Sequence, residues 1–327
     1  MKLGNLNLSA AFLGNTEIEK ILLGADVVYE KVVGPPNWFY VEDLSGVDNT
    51  LSIKKCGASG YSGEYAPTLT IEKSSDGQTW ETMGTTGTTA ITATIPANGK
   101  LFLRCITNKW ADSYLYWNRI SASENHAIGG NIMSLLQGSG FPDGSWNFTS
   151  DRVFQNLFNG NIKLINASNL VMPTTTLVRE CYYGMFEGCT SLTAAPTLPA
   201  TTLANQCYQR MFRGCTSLTD VPSELPATYL ADECYSNMFY GCTSLTAAPK
   251  LPSRGLSYYC YNWMFGGCTN LKYIKAMFTT SPSKTYTQNW VNGVAAIGTF
   301  VKNTQATWSV TGANGVPSGW TVQTASE

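Results

Sequence analysis

The sequence predicts a multidomain chain: an N-terminal β-strand segment, an immunoglobulin-like β-sandwich, then an α/β solenoid of stacked repeats. Three observations carry that prediction. Leu-Gly dipeptides recur every ten residues at Leu3-Gly4, Leu13-Gly14 and Leu23-Gly24. Short, strand-like segments punctuated by turn signals follow, from Trp38 to about Ser123. Between Val178 and Leu271 one unit recurs four times, as CYYGMFEGCTSL from Cys181, CYQRMFRGCTSL from Cys207, CYSNMFYGCTSL from Cys234 and CYNWMFGGCTNL from Cys260. A unit of 26 or 27 residues cannot bury its apolar face alone, so copies must stack and share a core.

Residues 1–36 hold the decads, with segments such as Glu17-Ile18-Glu19-Lys20-Ile21-Leu22 roughly alternating, and Pro35-Pro36 breaks the chain behind them. Strands this short make no stable domain. The segment is therefore expected to be an anchor or oligomerisation element, with Leu3, Leu13 and Leu23 as its recurring apolar positions. Residues 37–127 read as the sandwich: Thr50–Ile53, Thr68–Ile71, Ala90–Ile95 and Leu101–Cys105 are strand-like, and Asp76-Gly77 and Asn98-Gly99 are hairpin signals. Residues 128–150 are a connector, and 151–327 the repeat domain. Val153–Leu164 is a degenerate first repeat in which Leu157-Phe158-Asn159-Gly160 aligns with Met185-Phe186-Glu187-Gly188.

Within a repeat, Ala204, Cys207, Tyr208, Met211 and Phe212 fall at offsets 0, 3, 4, 7 and 8, the stripe of an amphipathic helix. Gly214 stands where a left-handed helix cap belongs, and Gly188, Gly241 and Gly267 share its register. The expected core is Met185-Phe186, Met211-Phe212, Met238-Phe239 and Met264-Phe265 with two cysteine ladders. Cys181, Cys207, Cys234 and Cys260 form one ladder, and Cys189, Cys215, Cys242 and Cys268 the other. Buried thiols acting as small hydrophobes suit these eight better than disulfides, though the latter stay open. C-x7-C matches no common zinc spacing and the chain has one histidine, so no metal is expected.

Composition excludes several function classes. With 21 basic and 22 acidic residues in 327, the net charge of −1 offers no field for nucleic acid or an anionic membrane. No apolar run reaches the roughly 18 residues that would predict a membrane helix. The first twenty residues lack the apolar core of an export signal. His126 is the only partner for a nucleophile and reads as loop surface, and Glu42, Asp43, Glu64 and Asp112 are carboxylates that no motif pairs. No glycine loop cradles a phosphate, so neither enzyme activity nor a cofactor is expected. Trp80, Trp110 and Trp117 suit a core or, alternatively, a sugar platform.

Positions that differ between units are the candidate binding face. Offsets 2, 3 and 6 from the first cysteine bring Tyr183 and Glu187, then Gln209, Arg210 and Arg213, then Asn237 and Tyr240, then Trp263. Tyr, Arg and Trp dominate binding hot spots, although a solvated face varies in the same way.

The repeat motif, with Pro-Ala-Thr at 199–201 and 226–228, resembles the BspA-type leucine-rich repeat family of gut Bacteroidales surface proteins and their phages. The resemblance covers residues 129–327. It implies a leucine-rich-repeat solenoid with a C-terminal cap over Asn289–Val294, Gly298–Val301 and Val316–Val322. The Leu-Gly-Asn decads are similar to the N-termini of virion proteins of crAss-like phages. Together these imply a non-enzymatic virion protein, a head or tail fibre subunit on the particle surface, held to a capsid or tail protein by its N-terminus. A homo-oligomer is expected, a trimer by analogy or else a dimer, with the repeats facing a host surface or gut glycan. The alternatives are a bacterial cell-surface adhesin and, third, a glycan-degrading enzyme.

Overall fold

The structure is a computed structural model that describes residues 37–107, 109–113, 115–138 and 147–325, and the backbone of six short strands before them. The chain forms two compact units, Met1–Asn37 and Trp38–Glu327.

In the first unit, β1 (Lys2–Leu3) pairs antiparallel with β2 (Leu6–Asn7), β3 (Phe12–Leu13) with β4 (Thr16–Glu17), and β5 (Lys20–Leu23) with β6 (Asp26–Glu30). The leucine of each Leu-Gly dipeptide thus ends the first strand of a pair: Leu3 is opposite Leu6, Leu13 opposite Thr16 and Leu23 opposite Asp26. The side chains of Leu3, Leu13 and Leu23, and Pro35-Pro36, lie outside the described residues.

The second unit begins with two sheets around one apolar core. The first has the order β10-β9-β12-β7-β15-β16, built from β7 (Tyr40–Asp43), β9 (Thr70–Ser74), β10 (Glu81–Thr85), β12 (Lys100–Cys105), β15 (His126–Asn131) and β16 (Leu164–Val171). The second, β11-β8-β14-β13, is built from β8 (Asn49–Gly57), β11 (Ile91–Ile95), β13 (Ala111–Ser113) and β14 (Tyr116–Ala122). Strand alternation explains the core: Leu101, Leu103 and Cys105 of β12 point inward with Val41, Ile53, Ile71 and Ile120, while their neighbours along β12 are half-exposed. β15, between β7 and β16, is buried along its whole length. β16 runs parallel to it, and a bridge from Asn166 to Ala194 leads from this sheet to the first full repeat.

The repeats correct the sequence reading. The described chain is nearly all β, 30% strand and 3% helix, and the α/β leucine-rich-repeat solenoid with a C-terminal cap does not form. The described α-helices are α1 (Ser134–Gln137) and α2 (Lys284–Thr287), and neither lies in the Cys-Tyr-x-x-Met-Phe motif. That motif is a run of overlapping turns. Gln209, Met211 and Arg213 donate their N–H to the carbonyl three residues back, but Tyr208, Arg210, Phe212 and Gly214 donate to Cys234, Ser236, Met238 and Tyr240 of the next repeat. Every fourth residue is left-handed, as at Gln206 (φ 60°), Arg210 (φ 59°) and Gly214 (φ 73°), which no α-helix tolerates. Apolar offsets 0, 3, 4, 7, 8 suit a helix of period 3.6, yet equally a period of four with two residues inward and two outward.

The same pairing joins 152–160 to 179–187 and 259–267 to 285–292. Inside, Phe158, Phe186, Phe212, Phe239 and Phe265 stack with centroids 5.3–5.7 Å apart, and Tyr182, Tyr208, Tyr235 and Tyr261 at 5.6–6.0 Å. Trp290 meets the ends of both columns, 6.2 Å from Phe265 and 6.0 Å from Tyr261. In place of a cap, β17 (Tyr273–Ala276), β18 (Thr299–Asn303) and β19 (Thr321–Ala325) form a parallel sheet, and bridges from Ala247 and Leu251 reach β17.

Candidate functional site: the outer face of the repeats

Stacking in register fixes what this face contains. Each offset of the repeat lies against the same offset of the next, so residues roughly 26 apart in sequence become neighbours. At offset 6 the column is Glu187, Arg213, Tyr240 and Gly266. Arg213 Nη1 donates to Glu187 Oε1 at 2.6 Å, and its guanidinium lies 5.3 Å from the Tyr240 ring centre. Tyr240 meets Trp263 edge to face at 5.7 Å. Gly266 leaves room for that indole: a Cβ there would lie 2.5 Å from Trp263 Cε3. The tryptophan from offset 3 thereby completes the column where offset 6 has no side chain.

Beside it, Arg210 lies 5.7 Å from the Tyr183 ring centre, and its buried Nε has no hydrogen-bond partner among the described residues. Burial pushes the Tyr183 phenol above its ordinary pKa. Arg210, Asn237 and Trp263 all hold left-handed backbone, φ 52–59°, which costs a non-glycine residue about 1 kcal/mol. Gln209 is buried and donates to Glu233 Oε2 at 3.0 Å, and Asn237 Nδ2 donates to Ser236 Oγ at 3.0 Å. The structure therefore joins Tyr183 to Arg210, and Glu187, Arg213, Tyr240 and Trp263 to one another. Gln209 and Asn237 bond to flanking groups instead.

A polar flank was not singled out in the sequence. Glu180 is buried and takes both Arg152 (2.7 Å) and Arg179 (2.9 Å). With Tyr183, Gln206 and Gln209 these line an open hollow of about 380 Å³, and Arg179, Asn205, Gln206, Asp232, Glu233 and Tyr258 line a second. Its signal was present: the residue before each first cysteine reads Glu180, Gln206, Glu233, Tyr259, as variable as the chosen offsets.

The repeat thiols are all free and buried. In the second ladder Cys189, Cys215, Cys242 and Cys268 donate S–H to the carbonyls of Phe158, Phe186, Phe212 and Phe239 at 3.0–3.2 Å. Burial raises Cys189, Cys207, Cys260 and Cys268 to about 12, so these are packing groups and not nucleophiles. Cys56 and Cys105 are free as well.

His126 is not on the surface, as its sequence position suggested. It is 1% exposed, with Nδ1 2.9 Å from Glu124 O and Nε2 3.0 Å from Asn161 Nδ2. Burial lowers its pKa, against the Glu124 carbonyl and the Asp43 charge, which raise it. Of the four carboxylates, Asp43 is buried and Asp112 pairs with Lys109 at 2.6 Å. Glu42 lies 3.8 Å from Lys100, and Glu64 is exposed. Burial would raise the Asp43 pKa, but hydrogen bonds from Ser45, Gly46 and Asn98 prevail and hold it well below the usual carboxylate range. Trp110 and Trp117 are buried, and Trp80 packs against Trp38 under Arg104. Among the described residues no three His, Cys, Asp or Glu side chains gather as metal ligands. No helix there is long and apolar enough to cross a membrane.

The face thus presents aromatic edges, guanidinium donors and carboxylate acceptors in fixed columns. Compared with known proteins, the chain matches no family model, no curated protein and no solved structure.

Proposed function

We propose that this is a non-enzymatic structural protein of a virion, a head or tail fibre subunit that anchors through its N-terminal hairpins and displays the repeat face to a host surface. The observation that carries the reading is the continuous outer column Glu187–Arg213–Tyr240–Trp263, four unlike side chains held over a rigid aromatic core. A display role explains why the inward positions repeat while the outward ones change. The motif resemblance to gut Bacteroidales surface and phage proteins supports the same role. His126, the one imidazole, is buried with both ring nitrogens engaged, which supports a non-catalytic reading.

Met1–Asn37 forms a compact unit of its own, so it can be removed without cutting the core of the rest. Deleting residues 1–36 is expected to abolish incorporation into particles while the remaining chain keeps its circular dichroism spectrum and melting temperature. Normal incorporation of that truncation would refute the anchor. For the display role, Tyr240→Ala with Trp263→Ala is expected to weaken adsorption to host cells, and unchanged adsorption counts against it.

A further inference from the structure

We infer that the two-sheet part of the second unit carries a carbohydrate-binding platform made by Tyr61, Tyr65 and Tyr116, separate from the repeat face and independent of its proposed role. Tyr116 opens β14, and the other two stand on the loop that follows β8. Tyr61 meets the Tyr116 ring at 5.8 Å and 90°, and Tyr65 meets it at 5.2 Å and 61°. Both contacts are edge to face, so the two outer rings flank the central one without covering each other. Tyr61 is 49% exposed and Tyr65 69%. Exposed rings of this size are a cost in water, and neither Tyr61 nor Tyr65 belongs to the buried core of the domain.

The loop is built to hold them still. Gly57 and Gly63 touch across it: a Cβ on Gly57 would lie 2.3 Å from the Tyr61 carbonyl oxygen, and one on Gly63 2.6 Å from the Cys56 carbonyl carbon. Gly63 also has φ 79°, open to glycine at no steric cost. Ala58 N–H donates to Leu115 O at 2.9 Å, Tyr61 N–H to Ala58 O at 2.8 Å and Ala66 N–H to Gly63 O at 3.0 Å. Lys55 Nζ spans the loop base, donating to Thr68 Oγ1 at 2.7 Å and Glu64 O at 3.4 Å. An exposed aromatic surface already fixed in place loses little entropy when it binds.

The chemistry selects the ligand class. A pyranose ring has an apolar face of C–H bonds, which an aromatic face covers, and a hydroxyl rim that needs donors and acceptors. Here phenol hydroxyls and the exposed Ser62 and Glu64 stand beside the rings, and no aliphatic side chain is exposed between residues 57 and 68. A protein-docking patch would be expected to mix in such aliphatics. Near neutrality of the chain favours an uncharged sugar over a polyanion.

The test uses the full chain on an array of neutral gluco-, galacto- and manno-oligosaccharides, with titration calorimetry on the best ligand. Binding is expected, and Tyr65→Ala or Tyr61→Ala should weaken it by up to about tenfold, the worth of one aromatic contact. Tyr65→Trp should preserve it, and Tyr229→Ala, at a tyrosine 77% exposed among the repeats, should leave it unchanged. These exposed positions spare the fold, which an unaltered melting temperature verifies. A silent array, or binding that survives the Tyr61→Ala/Tyr65→Ala double variant, overturns the inference. So does Tyr65-dependent capture of a deglycosylated host-surface protein with no sugar bound, and so does sugar binding that is lost only in Trp263→Ala, which would move the site to the repeats.

Discussion

Phe212→Ala should be among the most damaging substitutions in this chain. Phe212 is fully buried and stacks on Phe186 at 5.4 Å and on Phe239 at 5.5 Å, nearly parallel to both. Truncating a buried Phe to Ala typically costs about 3–5 kcal/mol. Two aromatic contacts at about 0.5–1.5 kcal/mol each are lost with the ring, which places this site in the upper half of that range. The backbone of residue 212 pairs with Met238 O and keeps the rungs at fixed spacing, so neighbouring coils cannot close the hole. Arg213→Ala, one residue on, removes a half-exposed ion pair to Glu187 and should cost no more than about 1 kcal/mol. Urea unfolding followed by circular dichroism gives both values. Phe186→Ala and Phe239→Ala should match Phe212→Ala because each ring also has a phenylalanine on either side. A loss below about 2 kcal/mol for Phe212→Ala, or equal losses at 212 and 213, would refute the shared aromatic column as the source of stability.

Burial lowers the His126 pKa, so the unfolded chain takes up its proton first. Stability should be full above about pH 6.5 and fall as pH drops toward the lower folded value, and His126→Gln should flatten that slope in melting temperature against pH. Glu180→Gln leaves Arg152 and Arg179 without their carboxylate and should cost about 2 kcal/mol in the same urea assay; an unchanged midpoint would mean the pair is solvent-screened. Alkylation by iodoacetamide should be slow in the native protein, with half-buried Cys56 first and the eight repeat cysteines modified only in urea, as mass spectrometry would report. Early modification of Cys207 or Cys215 would contradict the closed stack.

The repeat residues show where sequence patterning succeeds and where it stops. Phe186, Phe212, Phe239 and Phe265 were legible as core because an inward position must be apolar in every copy, whatever backbone carries it. The backbone itself was not. Offsets of three and four satisfy a helix and a run of turns alike, and only the left-handed residues at Gln206, Arg210 and Gly214 separate them. Gln206 and Arg210 give no signal, since left-handed strain is carried by the neighbours that hold it. His126 shows the same limit: reading it as surface followed from its local surroundings, while Asn161, 35 residues away, encloses it. The candidate face was half legible, because register brings Glu187, Arg213 and Tyr240 together at equal offsets, but Trp263 joins them from another offset through the space left at Gly266.

By itself, then, the sequence determined the period and the apolar residues that point inward in every copy, both of which depend on spacing along the chain. Tertiary structure decided that alternate N–H groups reach the next rung instead of closing a helix. It decided, too, which outward side chains touch and that Tyr61, Tyr65 and Tyr116 meet. Those outcomes depend on hydrogen bonds and contacts between residues far apart in sequence, whose cost and gain no local pattern records.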